Sequence, residues 1–248
     1  MSSGQGERRR SVMAVYVMSD IHGQYDMFMD LMEQINLKAK DKLYILGDVI
    51  DRGTESMKVL FEMMKHPNII PLIGNHELIA IKCLKYLHEK KMGHAKPYTY
   101  DLSLDFIEWE NNGAAPTIEE FKKLSTEEQE QVLNYMYGFS PYKTVTIKGK
   151  KYILVHAGLG NFREDKKLPD YTLYELVWER PDFTKGYSCD ATIVLGHTPT
   201  QYIDGFEHPG MIFKGNNLIN IDCGAGGRKN LGAIRLDDGK EFYSNKLN

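Results

Sequence analysis

The sequence predicts an α/β fold whose first part is a parallel sheet. Between residues 14 and 91, short apolar runs typical of buried strands alternate with segments whose apolar residues recur at helical spacing. This strand–helix order favours parallel strands joined by right-handed crossovers. After residue 142, short apolar runs separated by turn residues predict a second sheet, mixed or antiparallel, that closes the domain.

The predicted elements follow from these periodicities in chain order. The first part contains three strands and three helices, at Ala14–Met18, Gln24–Asn36, Leu43–Leu46, Thr54–Lys65, Asn68–Ile73 and Glu77–Lys91. The second part contains only strands, at Thr144–Ile147, Tyr152–Val155, Thr192–Leu195, Met211–Phe213, Leu218–Ile221, Ala233–Leu236 and Glu241–Tyr243. The sequence Lys148–Lys151 between the first two of these strands predicts a hairpin.

A polar segment at about residues 88–142 separates the two parts. It has helical periodicity in three stretches and is broken by Gly113 and Pro116. We interpret it as a helical cap insertion within a single domain of residues 12–248. Residues 1–11, rich in Ser and Gly with three consecutive arginines, are interpreted as a flexible leader.

Composition excludes several classes of protein. The formal net charge of −3 provides no basic field, so nucleic acid is not expected as a partner. No apolar run approaches the ~20 residues of a membrane span. Three isolated cysteines suggest neither a disulfide framework nor a zinc site and fit a reducing compartment, so we expect a cytoplasmic protein.

Polar motifs follow five of the predicted strands. They are Asp20–Gly23, Gly47–Gly53, Gly74–Glu77, His156–Gly158 and Gly196–Thr198. The carboxyl ends of strands in an open α/β sheet share one edge, where ligands bind. The motifs are therefore expected to bring carboxylate, amide and imidazole side chains to one place.

These side chains are typical ligands of divalent metal ions. Carboxylate, amide and imidazole without thiolate suit Mn²⁺, Fe²⁺ or Zn²⁺. Two ions about 3.5–4 Å apart can stabilise both oxygens of an in-line displacement at phosphorus. Such a pair needs a shared carboxylate, and Asp48 lies in the middle of the candidate ligands.

Taken in order, the motifs DIHG, GDVIDRG, GNHE, HAG and GHT resemble the signature of the phosphoprotein phosphatases, a family of calcineurin-like metallophosphoesterases. Chain length and motif spacing most resemble the bacterial and phage serine/threonine phosphatases. The resemblance extends from Asp20 to Thr198 and implies a β-sandwich flanked by helices, with a dimetal site at the strand ends. It implies two divalent ions, above all Mn²⁺.

The resemblance implies a role for each metal ligand. Asp20 and His22 would bind the first ion and Asp48 would bridge the two. The second ion would be held by three further side chains, those of Asn75, His156 and His197.

The resemblance also implies the catalytic residues. His76 would be the general acid that protonates the leaving oxygen, oriented by Asp51. Arg52 would clamp the phosphoryl oxygens, with Asn75 also contacting substrate. A second arginine is expected after the HAG motif, and we place it at Arg180 rather than at the competing Arg163.

The expected activity is hydrolysis of phosphoserine and phosphothreonine, with phosphotyrosine as a further candidate, by in-line attack of a hydroxide that bridges the metals. Alternatives are a symmetrical diadenosine tetraphosphate hydrolase, another small-molecule phosphoesterase, and a catalytically silent phosphate-binding scaffold. A scaffold would not need His76, Asp51 and Arg52. The resemblance favours a monomer.

Other residues carry weaker predictions. Four histidines are interpreted as ordinary surface residues: His66, His88, His94 and His208. Tyr98, Tyr100 and Trp109 are expected to pack within the cap, with substrate contact as the alternative. The loop 222–227 is either a tight turn or a substrate contact. Cys223 lacks any partner that would mark it as a nucleophile.

Overall fold

Two five-stranded sheets form the centre of the computed structural model, which describes residues 13–244. The predicted leader, residues 1–11, lies outside the described residues. In chain order the strands β1 to β10 are Val15–Met18, Lys42–Ile45, Ile69–Pro71, Tyr142–Ile147, Lys150–Val155, Ala191–Leu195, Phe213–Gly215, Leu218–Asn220, Gly232–Arg235 and Glu241–Tyr243. The α-helices α1 to α7 are Tyr25–Ile35, Ser56–Met64, Asn75–Lys91, Tyr100–Asn111, Ala115–Lys123, Thr126–Tyr137 and Leu173–Val177.

The first sheet has the order β10-β9-β1-β2-β3. Strands β1, β2 and β3 are parallel, as the alternating pattern predicted. Strand β9 pairs antiparallel with β1, with Val17 opposite Ile234, and β10 pairs antiparallel with β9. The expectation that the last two strands belong to the second sheet is therefore wrong. The partner through which both strands join this sheet is β1, more than 200 residues before β9, and local periodicity does not carry that information.

The second sheet has the order β4-β5-β6-β8-β7 and is mixed, as predicted. Strands β5, β6 and β8 are parallel, whereas the edge strands β4 and β7 are antiparallel to their neighbours. Parallel strands thus occur in both sheets, and the motifs at their carboxyl ends can meet at one edge of the sandwich.

An apolar core separates the two sheets. Val15 and Val17 of β1 pack in one buried cluster with Leu154 and Val194 of the second sheet. The alternate residue Met18 belongs instead to the cluster formed with the helices, since successive side chains of a strand point to opposite faces. The result is a β-sandwich with helices on its outer side.

The segment between α3 and β4, residues 92–141, contains the helices α4, α5 and α6. Their buried side chains include Trp109, Phe121 and Leu133, and these belong to the same apolar cluster as Phe28 of α1. This insertion therefore packs against the body of the protein through an apolar interface. None of the helices within residues 13–244 is long and apolar enough to cross a bilayer.

Helix α3 begins two residues earlier than the sequence predicted. Its N-cap is Gly74, and its first turn contains Asn75 and His76. The Glu77 carboxylate accepts the backbone N–H of Gly74 at 2.9 Å, which satisfies one of the free donors at the helix start. Two predicted site residues therefore have a helical backbone.

Candidate active site

The loops after β1 and β2 are joined by backbone hydrogen bonds. The N–H of Asp20 donates to the carbonyl of Gly47 at 3.1 Å, and that of His22 donates to the carbonyl of Asp48 at 2.9 Å. The N–H of Gly23 donates to Val49 at 2.8 Å. The first two motifs therefore form one unit, which brings the side chains of Asp20, His22 and Asp48 together.

Many of the site residues have a left-handed backbone. Non-glycine residues rarely adopt positive φ, and each such residue costs of the order of 1–3 kcal/mol. The site contains six of them, with φ between 48° and 73°: Asp20, His22, Asp48, Asp51, Arg52 and His197. Such strain concentrates where the surrounding structure holds side chains for function.

Glu77 fixes the backbone of the second motif. Its buried carboxylate accepts N–H groups from Asp48 at 2.9 Å, Val49 at 2.8 Å and Gly74 at 2.9 Å. Burial, followed by the charge of Asp48, raises the pKa of Glu77 to about 7. The sequence analysis gave Glu77 no role of its own, although its position three residues after a helix cap is the signal of a capping box.

Two imidazoles are oriented by backbone carbonyls. His22 Nδ1 lies 2.9 Å from the carbonyl of Ile50, and His156 Nδ1 lies 2.6 Å from that of Leu46. Because a carbonyl can only accept, each Nδ1 carries the hydrogen. Each Nε2 is then left to bind a metal ion, and hydrogen bonding of this kind commonly orients histidine ligands.

Both Nε2 atoms lie near the Asp48 carboxylate, and that of His156 also lies near the side-chain oxygen of Asn75. His156 Nε2 lies 2.9 Å from Asn75 Oδ1 and 3.3 Å from Asp48 Oδ1. His22 Nε2 lies 3.7 Å from Asp48 Oδ2. Converging acceptors are stable only with a cation or a proton between them. The residues present therefore fit two divalent ions that share the Asp48 carboxylate.

Electrostatics support this interpretation. Burial by itself lowers the pKa of His156, but the Asp48 carboxylate raises it to about 10. Burial also acts to raise the pKa of Asp48, yet His156 and His76 hold it well below its ordinary value. Without metal ions, protonated imidazole thus supplies the positive charge that the buried carboxylate needs.

His197 completes a cluster with Asp48 and His156. One ligand atom from each of the three lies within 4.8 Å of the others. Burial and the neighbouring His156 lower the pKa of His197 to about 3, so this imidazole is neutral and able to bind a metal. The backbone N–H of His197 donates to Asp20 at 3.0 and 3.2 Å.

A second cluster groups His22 and Asp48 with His76 rather than with Asp20. The Asp20 carboxylate instead accepts the hydroxyl of Ser19 and the N–H of His197. His76 is nevertheless poorly suited to bind a metal, because its Nε2 lies 3.1 Å from the Arg52 guanidinium. A cation there would meet a permanent positive charge. The assignment of Asp20 to the first ion stays a prediction.

The predicted acid, His76, is fully buried and paired with Asp51. Its Nδ1 lies 2.7 Å from Asp51 Oδ2, and the indole Nε1–H of Trp109 donates to the same oxygen at 2.7 Å. Burial alone lowers the pKa of His76, but Asp48 and Asp51 raise it above its ordinary value. The imidazole is therefore held in one orientation, with its Nδ1 hydrogen directed at Asp51.

The Asp51–Arg52 segment is held by the insertion. The N–H of Asp51 donates to the hydroxyls of Ser56 at 3.1 Å and Thr117 at 3.0 Å. The N–H of Arg52 donates to the carbonyl of Gly113 at 2.9 Å. Two of these three acceptors belong to the insertion, whose sequence showed no motif.

A cavity of about 360 Å³ lies over the candidate ligands. Its lining includes Asp20, Asp48, Arg52, Asn75, Asn112, Trp178, Arg180, His197, Gln201, Tyr202 and Gly226. Arg52 and Arg180 are both exposed there. Arg163, the competing arginine, is absent from this lining and bonds to Asp165 at 3.2 Å.

The loop 222–227 forms a turn that packs against two site residues, and its contact with substrate stays a prediction. A Cβ on Gly226 would lie 2.4 Å from His22 Cδ2 and 2.9 Å from Arg52 Nη1, so only glycine fits there. Asp222 is buried nearby, and burial, followed by the charge of Asp20, raises its pKa well above the ordinary range. Asp222 and Asn112 were not predicted as site residues.

The remaining aromatic and cysteine candidates lie away from the cavity. Trp109 is fully buried and acts through Asp51, as described above. Tyr98 lines a different depression, on α3 and α4, and Tyr100 is exposed. Cys223 is buried, and burial raises the pKa of its thiol, which agrees with the absence of a nucleophilic role.

The four other histidines lie outside the cavity. His94 and His208 are exposed, as predicted. His66 and His88 are partly exposed, and they bond to Glu62 at 3.2 Å and Gln129 at 3.3 Å.

Comparison with known proteins now identifies the family. The sequence profile of the calcineurin-like phosphoesterases matches residues 13–223. The chain belongs to this family. Its α/β fold of two mixed sheets with helices is the fold of the family, and calcineurin-like phosphoesterases use a dimetal centre.

Individual relatives of this calcineurin-like phosphoesterase include enzymes with two kinds of substrate. The bis(5′-nucleosyl)-tetraphosphatase PrpE (asymmetrical) of Oceanobacillus iheyensis is 26% identical, over 94% of this chain and 92% of its own. A candidate diadenosine tetraphosphatase of known structure superposes with a TM-score of 0.63 at 16% identity, over 94% of both chains. A protein serine/threonine phosphatase from Saccharomyces cerevisiae gives 0.58 at 14% identity, covering 95% of this chain and 81% of its own. At these identities the two structures show the fold alone.

Proposed function

We propose that this calcineurin-like phosphoesterase hydrolyses dinucleoside tetraphosphates with the help of two divalent ions, most readily Mn²⁺. The observation that carries the chemistry is the convergence of His22, Asn75 and His156 on the Asp48 carboxylate, beside the paired His76 and Asp51. Hydrolysis adds one water across a P–O bond of the phosphate chain and releases two nucleotides.

The metal ions would be held by the six side chains already predicted as ligands. When bound, such a pair lowers the pKa of water and offsets the negative charge that develops on the phosphoryl group. Asp48 would contact both ions, with Asp20 and His22 on one side. Asn75, His156 and His197 would hold the other.

His76 would supply the proton for the leaving oxygen. Asp51 accepts from Nδ1, so the proton available for transfer lies on Nε2. In the structure Arg52 Nη2 lies 3.1 Å from that atom. A bound phosphoryl group would compete for the Arg52 guanidinium, since planar guanidinium matches phosphate oxygens well. This exchange would leave Nε2 free to carry its proton.

The substrate class rests on the relatives and on the cavity. The Oceanobacillus relative covers nearly the whole chain and is named for a dinucleoside tetraphosphate. The cavity combines two exposed guanidinium groups, Arg52 and Arg180, with the aromatic side chains Trp178 and Tyr202. Guanidinium groups form charge-assisted hydrogen bonds with the oxygens of a polyphosphate, and aromatic side chains stack with nucleotide bases.

The second candidate is phosphoprotein phosphatase activity on phosphoserine and phosphothreonine. Its support is the residue pattern itself, because Gly47–Gly53 and Gly74–Glu77 resemble the phosphoprotein phosphatase signature. The metal centre by itself selects no leaving group.

The test compares the two substrates under identical conditions. Diadenosine tetraphosphate and a phosphothreonine peptide are incubated with Mn²⁺ and with EDTA, and the nucleotide products are separated. We expect Mn²⁺-dependent hydrolysis of the dinucleotide, abolished by EDTA, with either ATP plus AMP or two ADP as products. Turnover of the peptide alone would support the phosphatase instead, and turnover of neither with two metals bound would contradict both.

A further inference from the structure

The cavity has an aromatic wall that the hydrolytic chemistry does not require. Trp178 and Tyr202 line the same cavity as Asp48 and His197. The proposed hydrolysis uses neither ring, because the predicted metal ligands and the predicted acid His76 supply its chemistry. These two rings are therefore placed to contact the part of the substrate that is attached to the phosphate.

Tyr202 is exposed and lies in a turn whose backbone is hydrogen-bonded to the loop that begins at Asp222. Its side chain is 73% exposed, the second highest value among the large hydrophobic side chains of residues 13–244 that are exposed. It ends a short 3₁₀-helix, Thr200–Tyr202, that begins two residues after the GHT motif. Thr200 is buried, and its N–H donates to the carbonyl of Asp222 at 2.9 Å. An exposed aromatic ring in the lining of a cavity is accessible for stacking with a base.

Trp178 extends the aromatic surface from the metal ligands outwards. Its ring packs edge-on against His197, with ring centroids 6.1 Å apart at 84°. On its other side it stacks with Tyr174 at 6.4 Å and 26°, and Tyr174 is 62% exposed. The aromatic surface thus runs from a predicted metal ligand to the solvent.

The charges of the cavity fit an anionic ligand with an aromatic group. Arg52 and Arg180 line it, and among the described residues the only carboxylates in the lining are those of Asp20 and Asp48, both predicted metal ligands. With metal ions bound, this lining carries no free negative charge to repel phosphate. Positive charge beside aromatic faces is the combination that binds nucleotides.

We propose that Tyr202 and Trp178 form a subsite for the base of a nucleotide, so that the base stacks on these rings while its phosphates lie against Arg52 and Arg180. This subsite deepens the proposed function and rests on it for the substrate class. Its ligand is a nucleoside polyphosphate, and it selects by stacking, which tolerates different bases.

Equilibrium binding tests the subsite without turnover. The probes are adenosine 5′-(α,β-methylene)diphosphate and methylenediphosphonate, which share two phosphonate-type groups and differ in the nucleoside. Both are titrated calorimetrically, in the presence of Mn²⁺, into the wild-type chain and into Tyr202→Ala and Tyr202→Phe. Tyr100→Ala is the matched control, because Tyr100 is 76% exposed but lies on α4, outside the cavity.

We expect Tyr202→Ala to weaken binding of the nucleotide probe about fivefold or more, as removal of a stacking ring does elsewhere. Binding of methylenediphosphonate should change less than about twofold, and Tyr202→Phe should restore nucleotide binding, since the ring is retained. Equal weakening of both probes, or unchanged nucleotide binding in Tyr202→Ala, overturns the subsite.

The outcome separates the subsite from the proposed function. Selective loss of nucleotide binding in a chain that does not hydrolyse diadenosine tetraphosphate would retain the subsite and reject the hydrolase. Hydrolysis of the dinucleotide without any selective effect of Tyr202 would retain the hydrolase and reject the subsite.

Discussion

Asp51 Oδ2 accepts two hydrogen bonds, one from the indole N–H of Trp109 and one from Nδ1–H of His76, and both distances are 2.7 Å. Trp109 belongs to α4 of the insertion, 58 residues after Asp51. The other oxygen, Asp51 Oδ1, is buried without a hydrogen-bond partner within the described residues. The carboxylate thus depends on Trp109 for part of its orientation, and this bond connects the insertion to the predicted acid through Asp51.

Replacement of Trp109 should affect the protonation of the leaving group. A hydrogen bond to a charged group contributes about 1.5–3 kcal/mol, so we expect Trp109→Phe to lower kcat for an alkyl phosphate about tenfold or more. Turnover of p-nitrophenyl phosphate, whose leaving group needs little protonation, should fall much less. Steady-state kinetics with both esters measure the difference. An equal fall for both would indicate a general loss of structure instead.

Replacement of His76 should separate protonation from metal binding. General acid catalysis contributes about 10²–10⁴-fold, and we expect His76→Asn to lose this factor for esters with poor leaving groups. Since Asn75, His156 and Asp48 are unchanged, metal stoichiometry measured by atomic emission should stay at the wild-type value. Full turnover of an alkyl phosphate by this variant would exclude the role, and loss of metal would make His76 a ligand.

Asp48 should control both metal ions. Its two oxygens face His156 and His22 at 3.3 and 3.7 Å, so Asp48→Asn removes the shared negative charge. We expect the metal content to fall and the rise in Tm on adding Mn²⁺ to disappear, because a ligand stabilises only the folded state that binds it. Calorimetric scans with and without Mn²⁺ measure this. Wild-type metal content in the variant would contradict a bridging role.

Gly226 should tolerate no side chain. A Cβ there would lie 2.4 Å from His22 Cδ2 and 2.9 Å from Arg52 Nη1. We expect Gly226→Ala to displace one or both and to lower metal affinity and turnover. Gly227→Ala is the matched control, because a Cβ at Gly227 meets nothing within 4 Å. Similar losses of metal affinity and turnover in the two variants would mean that any side chain in this loop disturbs the site, and that the close contact of Gly226 with His22 is not the cause.

Glu175 should confer pH-dependent stability on the segment that leads to Trp178. It accepts Lys166 Nζ at 2.6 Å and the N–H of Thr172 at 2.9 Å, and these bonds lower its pKa from 4.5 to about 2. Because the folded pKa lies below the unfolded value, the stabilisation is complete above about pH 4.5 and is lost as pH falls through about 2.

Denaturant titrations of the wild type and Glu175→Gln test this prediction. We expect the difference in unfolding free energy to be greatest at neutral pH and to shrink as the pH falls below 4.5 towards 2. A difference that does not vary with pH would mean that the carboxylate charge does not contribute.

Much of the candidate site follows from local sequence. Asp20, Asp48, Asn75, His156 and His197 each come shortly after an apolar strand, and the rule that strand ends share an edge predicts their convergence. Four of them line one cavity in the structure, and the fifth, His156, belongs to the cluster with Asp48 and His197. Arg180 was predicted from the resemblance, and its presence in the cavity agrees with that expectation.

Residue identities and their positions along the chain determined the ligand types and the parallel pairing of β1, β2 and β3, because these depend on local periodicity and on which atoms a side chain offers. The order of the motifs indicated phosphate-cleaving chemistry through their resemblance to a known family. The tertiary structure alone decided that β9 and β10 join the first sheet, that Trp109 bonds to Asp51, and that Gly226 touches His22. The contacts of β9 with β1, of Trp109 with Asp51 and of Gly226 with His22 each join segments at least 58 residues apart. Such contacts arise from how helices and strands pack around the shared apolar core, and the periodicity of a single segment carries no record of that packing.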